Sequence, residues 1–250
     1  MIDHTKVKLG KLAVRHDPRT LQMAKYVKAQ LAPPPSAYDW TKNVRANWGM
    51  MGNDKIGDCT CAAAGHLIME WTANAGRMFT PSLQDIIKAY AAITGYDPKT
   101  GNHDNGAVEL DVLNYWRRSG IAAHKIAAFV SLEPSNHTHI MDAVYTFGGC
   151  YIGVQLPLSA QGQEVWAVPP QGTSGPGAPG SWGGHAVPVV SYDPRGLTVV
   201  TWGKLLRMTW GFWQAYCDEA YGILSMDFLT QGKAPNGFDL KTLLADLAEL

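Results

Sequence analysis

The chain has 250 residues, 46% of them hydrophobic, and 21 Lys+Arg balance 21 Asp+Glu for a formal net charge of zero. That length suits one large domain or two small ones with a substantial core. A neutral chain without a run of like charges lacks the basic surface that nucleic-acid phosphates require, and no apolar stretch approaches the roughly 20 residues of a membrane span.

Residues 1–37 read as a Lys-bearing extension with one helix, Arg19 to Leu31, stopped by Pro33-Pro34-Pro35, which favours an extended linker. Gly57-Asp58 supplies a turn and a capping carboxylate. Ala62, Ala63 and Ala64 then favour a helix from Cys59 to about Ala75. A second helix is predicted from Thr80-Pro81-Ser82 to about Thr94, with Asp85 at its positive end. Tyr96 to Asn105 reads as loop, and a third helix over Ala107 to Ser119 closes at Gly120. This part is mainly helical.

Beyond about residue 120 the character changes. Val-, Ile- and aromatic-rich runs predict strands at Ile126–Leu132, Cys150–Leu156, His185–Tyr192 and Leu197–Thr201, with a helix over Ile140–Phe147 between the first two. Asp193-Pro194-Arg195-Gly196 carries turn chemistry and makes the last two strands a hairpin. The Pro/Gly-rich stretch 168–184 is a long loop ending at His185, either functional or a tolerated surface insertion. A tail helix, Leu240 to Leu250, is capped by Asp239. Its leucines at 240, 243, 244, 247 and 250 form one apolar face, for docking on its own domain or on a neighbouring subunit.

The four cysteines, Cys59, Cys61, Cys150 and Cys217, show no C-x-x-C pair and no zinc-ribbon spacing. They read as reduced, and no metal or other cofactor is called for. The N-terminal residues lack the apolar segment of a secretory signal, so a cytoplasmic protein, or a virion component if phage-encoded, is expected.

The candidate chemistry lies in Gly57-Asp58-Cys59 and in Gly183-Gly184-His185-Ala186-Val187. A thiolate is a far better nucleophile than a thiol, and a helix N-terminus or a nearby imidazolium stabilises it. Cys59 stands where that help is at hand, and an apolar strand after His185 fixes the imidazole as a base. A lone cysteine is otherwise a small buried hydrophobe, and Cys61 is the rival nucleophile. His66 reads as a packing or helix-surface residue, and His137 with His139 lacks a third metal ligand. Trp202, Trp210, Phe212 and Trp213 read as core.

Asp39-Trp40, followed after about twenty residues by Gly57-Asp58-Cys59, resembles the mature start of papain-like cysteine peptidases, in particular divergent bacterial and phage types. Gly184-His185-Ala186-Val187 is similar to the segment around that family's histidine, and Trp202-Gly203 to its Ser-Trp-Gly position. Asp104-Asn105-Gly106, with Ser119-Gly120-Ile121, resembles the family's middle segment. The resemblance implies an α+β, papain-like two-lobed fold. A helical lobe over 38–120 would carry Cys59 and a β-rich lobe over 121–230 would carry His185. An arm over 1–37 and an amphipathic helix over 231–250 flank them.

The implied activity is cysteine-type peptidase or amidase hydrolysis of a peptide or protein substrate. Cys59 is the nucleophile, and His185 the base. Asn53 stands in place of the oxyanion glutamine and Thr201 in place of the asparagine that orients the histidine. Trp202 shields that pair, while Gly106 and Gly184 line the substrate path. The changed residues at 53 and 201 keep a second reading open: an impaired scaffold serving as a structural protein, such as a phage virion or decoration subunit. It would self-associate or join a viral assembly through the arm and the C-terminal helix. Residues 1–37 are too short, and too unlike, to match the family's usual inhibitory prosegment.

Overall fold

The computed structural model describes residues 7–25 and 33–228, together with position 245. Three helices form one side: α1 (Cys59–Asn74), α2 (Leu83–Thr94) and α3 (Glu109–Arg118). α1 is buried at every position from Cys59 to Ala73, which its alanines and small polar residues permit because no polar face has to reach water. α2 opens with a capping box in which the Ser82 hydroxyl and the Asp85 carboxylate bond each other's backbone N–H, and it ends on Gly95 at φ 78°.

The other side is an eight-stranded sheet. Its strands are β1 (Tyr38–Asp39), β2 (Ile126–Ser131), β3 (Cys150–Leu156), β4 (Val165–Trp166), β5 (Gly183–Asp193), β6 (Gly196–Thr201), β7 (Lys204–Thr209) and β8 (Cys217–Ser225). They run in the order β2-β8-β3-β5-β6-β7-β4, with β1 paired to β5, and the pairing is antiparallel apart from β4 against β7. The sheet separates two cores. Val187 and Val189 of β5 face one core with α4 (His137–Phe147) and α5 (Trp210–Tyr216), whereas Ala186 and Val190 face the other with α1. α1 packs against β5, the strand that also carries His185.

Trp40 fixes the entry into this arrangement. Its backbone N–H bonds the Val190 carbonyl at 3.1 Å, and its indole donates to the Val144 carbonyl at 2.7 Å.

Several boundaries differ from the sequence expectation. α3 begins at Glu109 rather than Ala107, because residues 10 and 12 hydrogen-bond the Ala107 backbone. α4 begins at His137 rather than Ile140, since Asn136 accepts from the His139 N–H and caps it. Asp58 sits at the N-cap of α1 but its side chain makes no capping bond; its backbone, at ψ 18°, is outside the extended region that aims a cap at the next turn. Strands β7 and β8 and helix α5 were not foreseen. β7 hides behind Lys204 and Arg207, and β8 opens on Asp218-Glu219, an acidic pair that finds its counter-charge elsewhere in the chain.

In place of a helix from Arg19, the described residues show one 3₁₀ turn, Met23–Lys25, with Leu21 bonded to Ser131. The rest of that expected helix, at 26–31, lies outside the described residues. So does the tail helix, apart from the exposed helical Ala245. No helix among the described residues is long and apolar enough to cross a membrane.

Candidate active site

The first residue of α1 is Cys59, and the loop before it folds back so that Asn53 is buried beside it. His185 comes from β5, and Thr201 from the end of β6. Trp202 and Gly203 form the two-residue link into β7, with φ of 46° and 72°, and Thr201 pairs with Lys204 across it. Two successive positive φ values match the twist of a tight hairpin, but a tryptophan in that region costs about 1–2 kcal/mol. The turn lays the indole flat against His185, with centroids 4.6 Å apart and planes at 17°.

The structure therefore brings together Asn53, Cys59, His185, Thr201 and Trp202. All line one small cavity of about 10 Å³, at the lower limit for a single water. His185 Nε2 lies 2.8 Å from Thr201 Oγ1, so the hydroxyl occupies the position of an orienting partner. The other ring nitrogen, Nδ1, is buried without a hydrogen-bond partner. Asn53 Nδ2 donates to the Ile56 carbonyl at 3.2 Å, and the same amide interacts with the Asp58 carboxyl, so the loop fixes its orientation. Cys61, the rival nucleophile, is fully buried two residues into α1 and does not line the cavity.

The electrostatics are those of a closed site. Cys59 is 1% exposed, and burial pushes its thiol up to about 12, against the backbone amides of Ala186 and Gly10. Burial also lowers His185 to about 3. The pair is thus a neutral thiol beside a neutral imidazole, not the preformed thiolate that the helix start suggested. Asp58 is also buried, and burial raises it to about 8, so a fixed negative charge does not face the sulfur at neutral pH.

What closes the site is the chain's own arm. The Lys8 N–H bonds the Asn53 carbonyl at 3.0 Å, and the Lys11 N–H bonds the Gly184 carbonyl at 3.1 Å. The Gly10 carbonyl accepts from Ala107 at 2.8 Å, and Ala107 accepts in turn from Leu12 at 3.0 Å. Gly184 and the Gly106-Ala107 backbone thus hold an extended peptide, but that peptide is residues 8–12. A Cβ on Gly10 would lie 1.8 Å from the Gly57 carbonyl, and one on Gly106 would lie 2.2 Å from the Gly10 carbonyl. Only glycines allow three backbones to meet there. The arm, expected as an extension apart from the domain, crosses the cleft.

Two supporting residues were missed. Asp104 Oδ1 accepts from the Gly57 N–H at 2.8 Å and from the Tyr90 hydroxyl at 2.9 Å, and Tyr90 accepts from the Gly106 N–H. This bridge ties the loop before Cys59 to the opposite wall. His66 also lines the cavity, donating from Nε2 to the Gly49 carbonyl at 3.0 Å, and is a buried packing residue. His137 stacks on Trp210, away from the cleft.

No protein-family model matches the sequence, and no curated protein matches it. Solved structures do. Xylellain, a cysteine protease from Xylella fastidiosa, superposes with a TM-score of 0.67 at 17% identity, over 88% of this chain and 97% of that one. ProCathepsin B S9 from Trypanosoma congolense gives 0.61 at 10% identity, over 89% and 88%. Digestive procathepsin L 3 of Tenebrio molitor gives 0.58 at 16% identity, over 86% and 77%. The chain has a papain-like α+β fold.

Proposed function

We propose that this chain is a papain-like cysteine peptidase or amidase, in a state held shut by residues 8–12. The observation that carries the reading is His185: one ring nitrogen held by Thr201, one face covered by Trp202, and the remaining nitrogen free in the cavity that Cys59 also lines. Each of these contacts is what a base needs to be oriented and shielded while leaving its reactive lone pair available.

With the arm withdrawn and a substrate amide in its place, the Cys59 sulfur forms a bond to the carbonyl carbon while its proton passes to His185 Nδ1. The oxyanion is stabilised by the Cys59 N–H and the Asn53 amide. As the C–N bond breaks, His185 returns the proton to the leaving nitrogen. Water then attacks the thioester, giving its proton to His185, which restores the thiol as the carboxylic acid departs.

The closed cleft itself favours a second reading, a scaffold retained for assembly, because neither Cys59 nor His185 is more than 1% exposed. Labelling separates the two. Gly10→Ala forces its methyl into the Gly57 carbonyl and should displace the arm. A peptide bearing a thiol-reactive electrophile then labels Cys59 at neutral pH, and His185→Ala abolishes this. Labelling no faster than that of the denatured chain, even in Gly10→Ala, supports the scaffold and removes the peptidase.

A further inference from the structure

The side chain of Lys11 leaves the arm and enters a pocket in the wall of the cleft, where it is fully buried. Its ammonium lies 2.9 Å from Asp218 Oδ2, 2.9 Å from Glu219 Oε1 and 3.2 Å from the Leu12 carbonyl. The floor is Gly153: a Cβ there would come within 2.0 Å of Lys11 Cε, so the missing side chain is what makes room for the lysine stem. The acids are themselves held. Gln155 donates to Asp218 Oδ2 at 2.5 Å, and Tyr221 donates to Glu219 Oε2 at 2.9 Å.

A third carboxyl, Glu109, is completely buried, and neither of its oxygens has a hydrogen-bond partner. Burial and the Glu219 charge push it well above the usual carboxylate range, while Lys11 acts in the opposite direction. Burial works against the Lys11 charge, but the surrounding acidic groups and the hydrogen bonds to Glu219 and Asp218 together outweigh it and hold the ammonium protonated.

Removing one partner of a buried, hydrogen-bonded charge pair leaves the other uncompensated at high cost. When the arm withdraws, Asp218 and Glu219 are left facing a cavity shaped for four methylenes and an ammonium. We propose that this pocket is a lysine-selective subsite, and that the substrates are peptides presenting an unmodified lysine side chain to it, with Lys11 as the internal stand-in. The proposal rests on the peptidase reading for its biological meaning, but its binding chemistry does not require Cys59 to react.

The test uses the full chain carrying Gly10→Ala together with Cys59→Ala, and measures binding of fluorescent acetyl-Gly-Lys-Leu-amide and its norleucine and Nε-acetyl-lysine counterparts. The lysine peptide should bind at least about ten-fold more tightly than either, the scale of a charge-assisted hydrogen bond. Glu219→Gln or Asp218→Asn should reduce that preference to about three-fold or less. Should Gly10→Ala fail to fold, full-length Lys11→Ala serves: millimolar n-butylammonium should raise its melting temperature, while n-butanol should not.

Equal binding of the three peptides, no binding of any, or equal effects of amine and alcohol overturn the subsite. Lysine preference in binding with no labelling of Cys59 in Gly10→Ala keeps the subsite and removes the peptidase. Rapid labelling by lysine and norleucine electrophiles alike does the reverse.

Discussion

In the proposed peptidase, Thr201 orients His185 with a single hydroxyl. Its Oγ1 lies 2.8 Å from His185 Nε2 in a site only 2% exposed at Thr201, where a lost partner is not replaced by solvent. Thr201→Val keeps the shape and removes the bond, and it should slow Cys59 labelling in Gly10→Ala by about ten-fold, the scale of one such bond. Thr201→Ser should retain most of the rate.

His66 gives a prediction independent of catalysis. Burial lowers it to about 4, below its ordinary 6.5, against the smaller opposing effect of the Gly49 and Trp48 backbone. The folded chain therefore holds His66 neutral while the unfolded chain binds the proton below about pH 6.5. Stability from this residue is present above that pH and is lost as pH falls towards 4. Relative to His66→Gln, the native chain should lose about 3 kcal/mol of unfolding free energy between pH 7 and 4, measured by urea titration.

At the scale of elements, α2 shows how locally the fold is specified. Ser82 and Asp85 exchange hydrogen bonds with each other's backbone, so Ser82→Ala should cost about 1 kcal/mol and lower the melting temperature by a few degrees.

That start was legible in Thr80-Pro81-Ser82 and Asp85, because helix-start signals lie within a few residues, although Pro81 precedes the Ser82 cap rather than entering the first turn. β3, β5 and β6 were legible for a similar reason, since their apolar runs are bounded by Gly, Pro and Asp turns. β8 was not. Asp218 and Glu219 argue against a buried strand until Lys11, more than 200 residues away, is seen between them. Cys59 and His185 were legible through their local settings, and Thr201 and Trp202 only through the resemblance at Trp202-Gly203. The Asp104–Tyr90 bridge and the arm's path depend on contacts between distant segments and left no local pattern.

For the whole molecule, the sheet and α1 bring the thiol and the imidazole to one buried seam, and the N-terminal arm closes it. Gly10, Gly57 and Gly106 let the arm lie flat, while Lys11 anchors it in charge. The closed state explains why the site combines a neutral thiol at about 12 with a neutral imidazole at about 3: both follow first from burial, and both should move towards ordinary values once solvent enters.

The most direct measurement is the rate of Cys59 labelling by a peptide electrophile near pH 7 in three full-length proteins: the native chain, Gly10→Ala, and Gly10→Ala with His185→Ala. A closed thiol hydrolase predicts slow labelling, labelling at least about ten-fold faster, and labelling returned to the slow rate, in that order. Labelling in Gly10→Ala that matches the denatured chain and ignores the loss of His185 would contradict it.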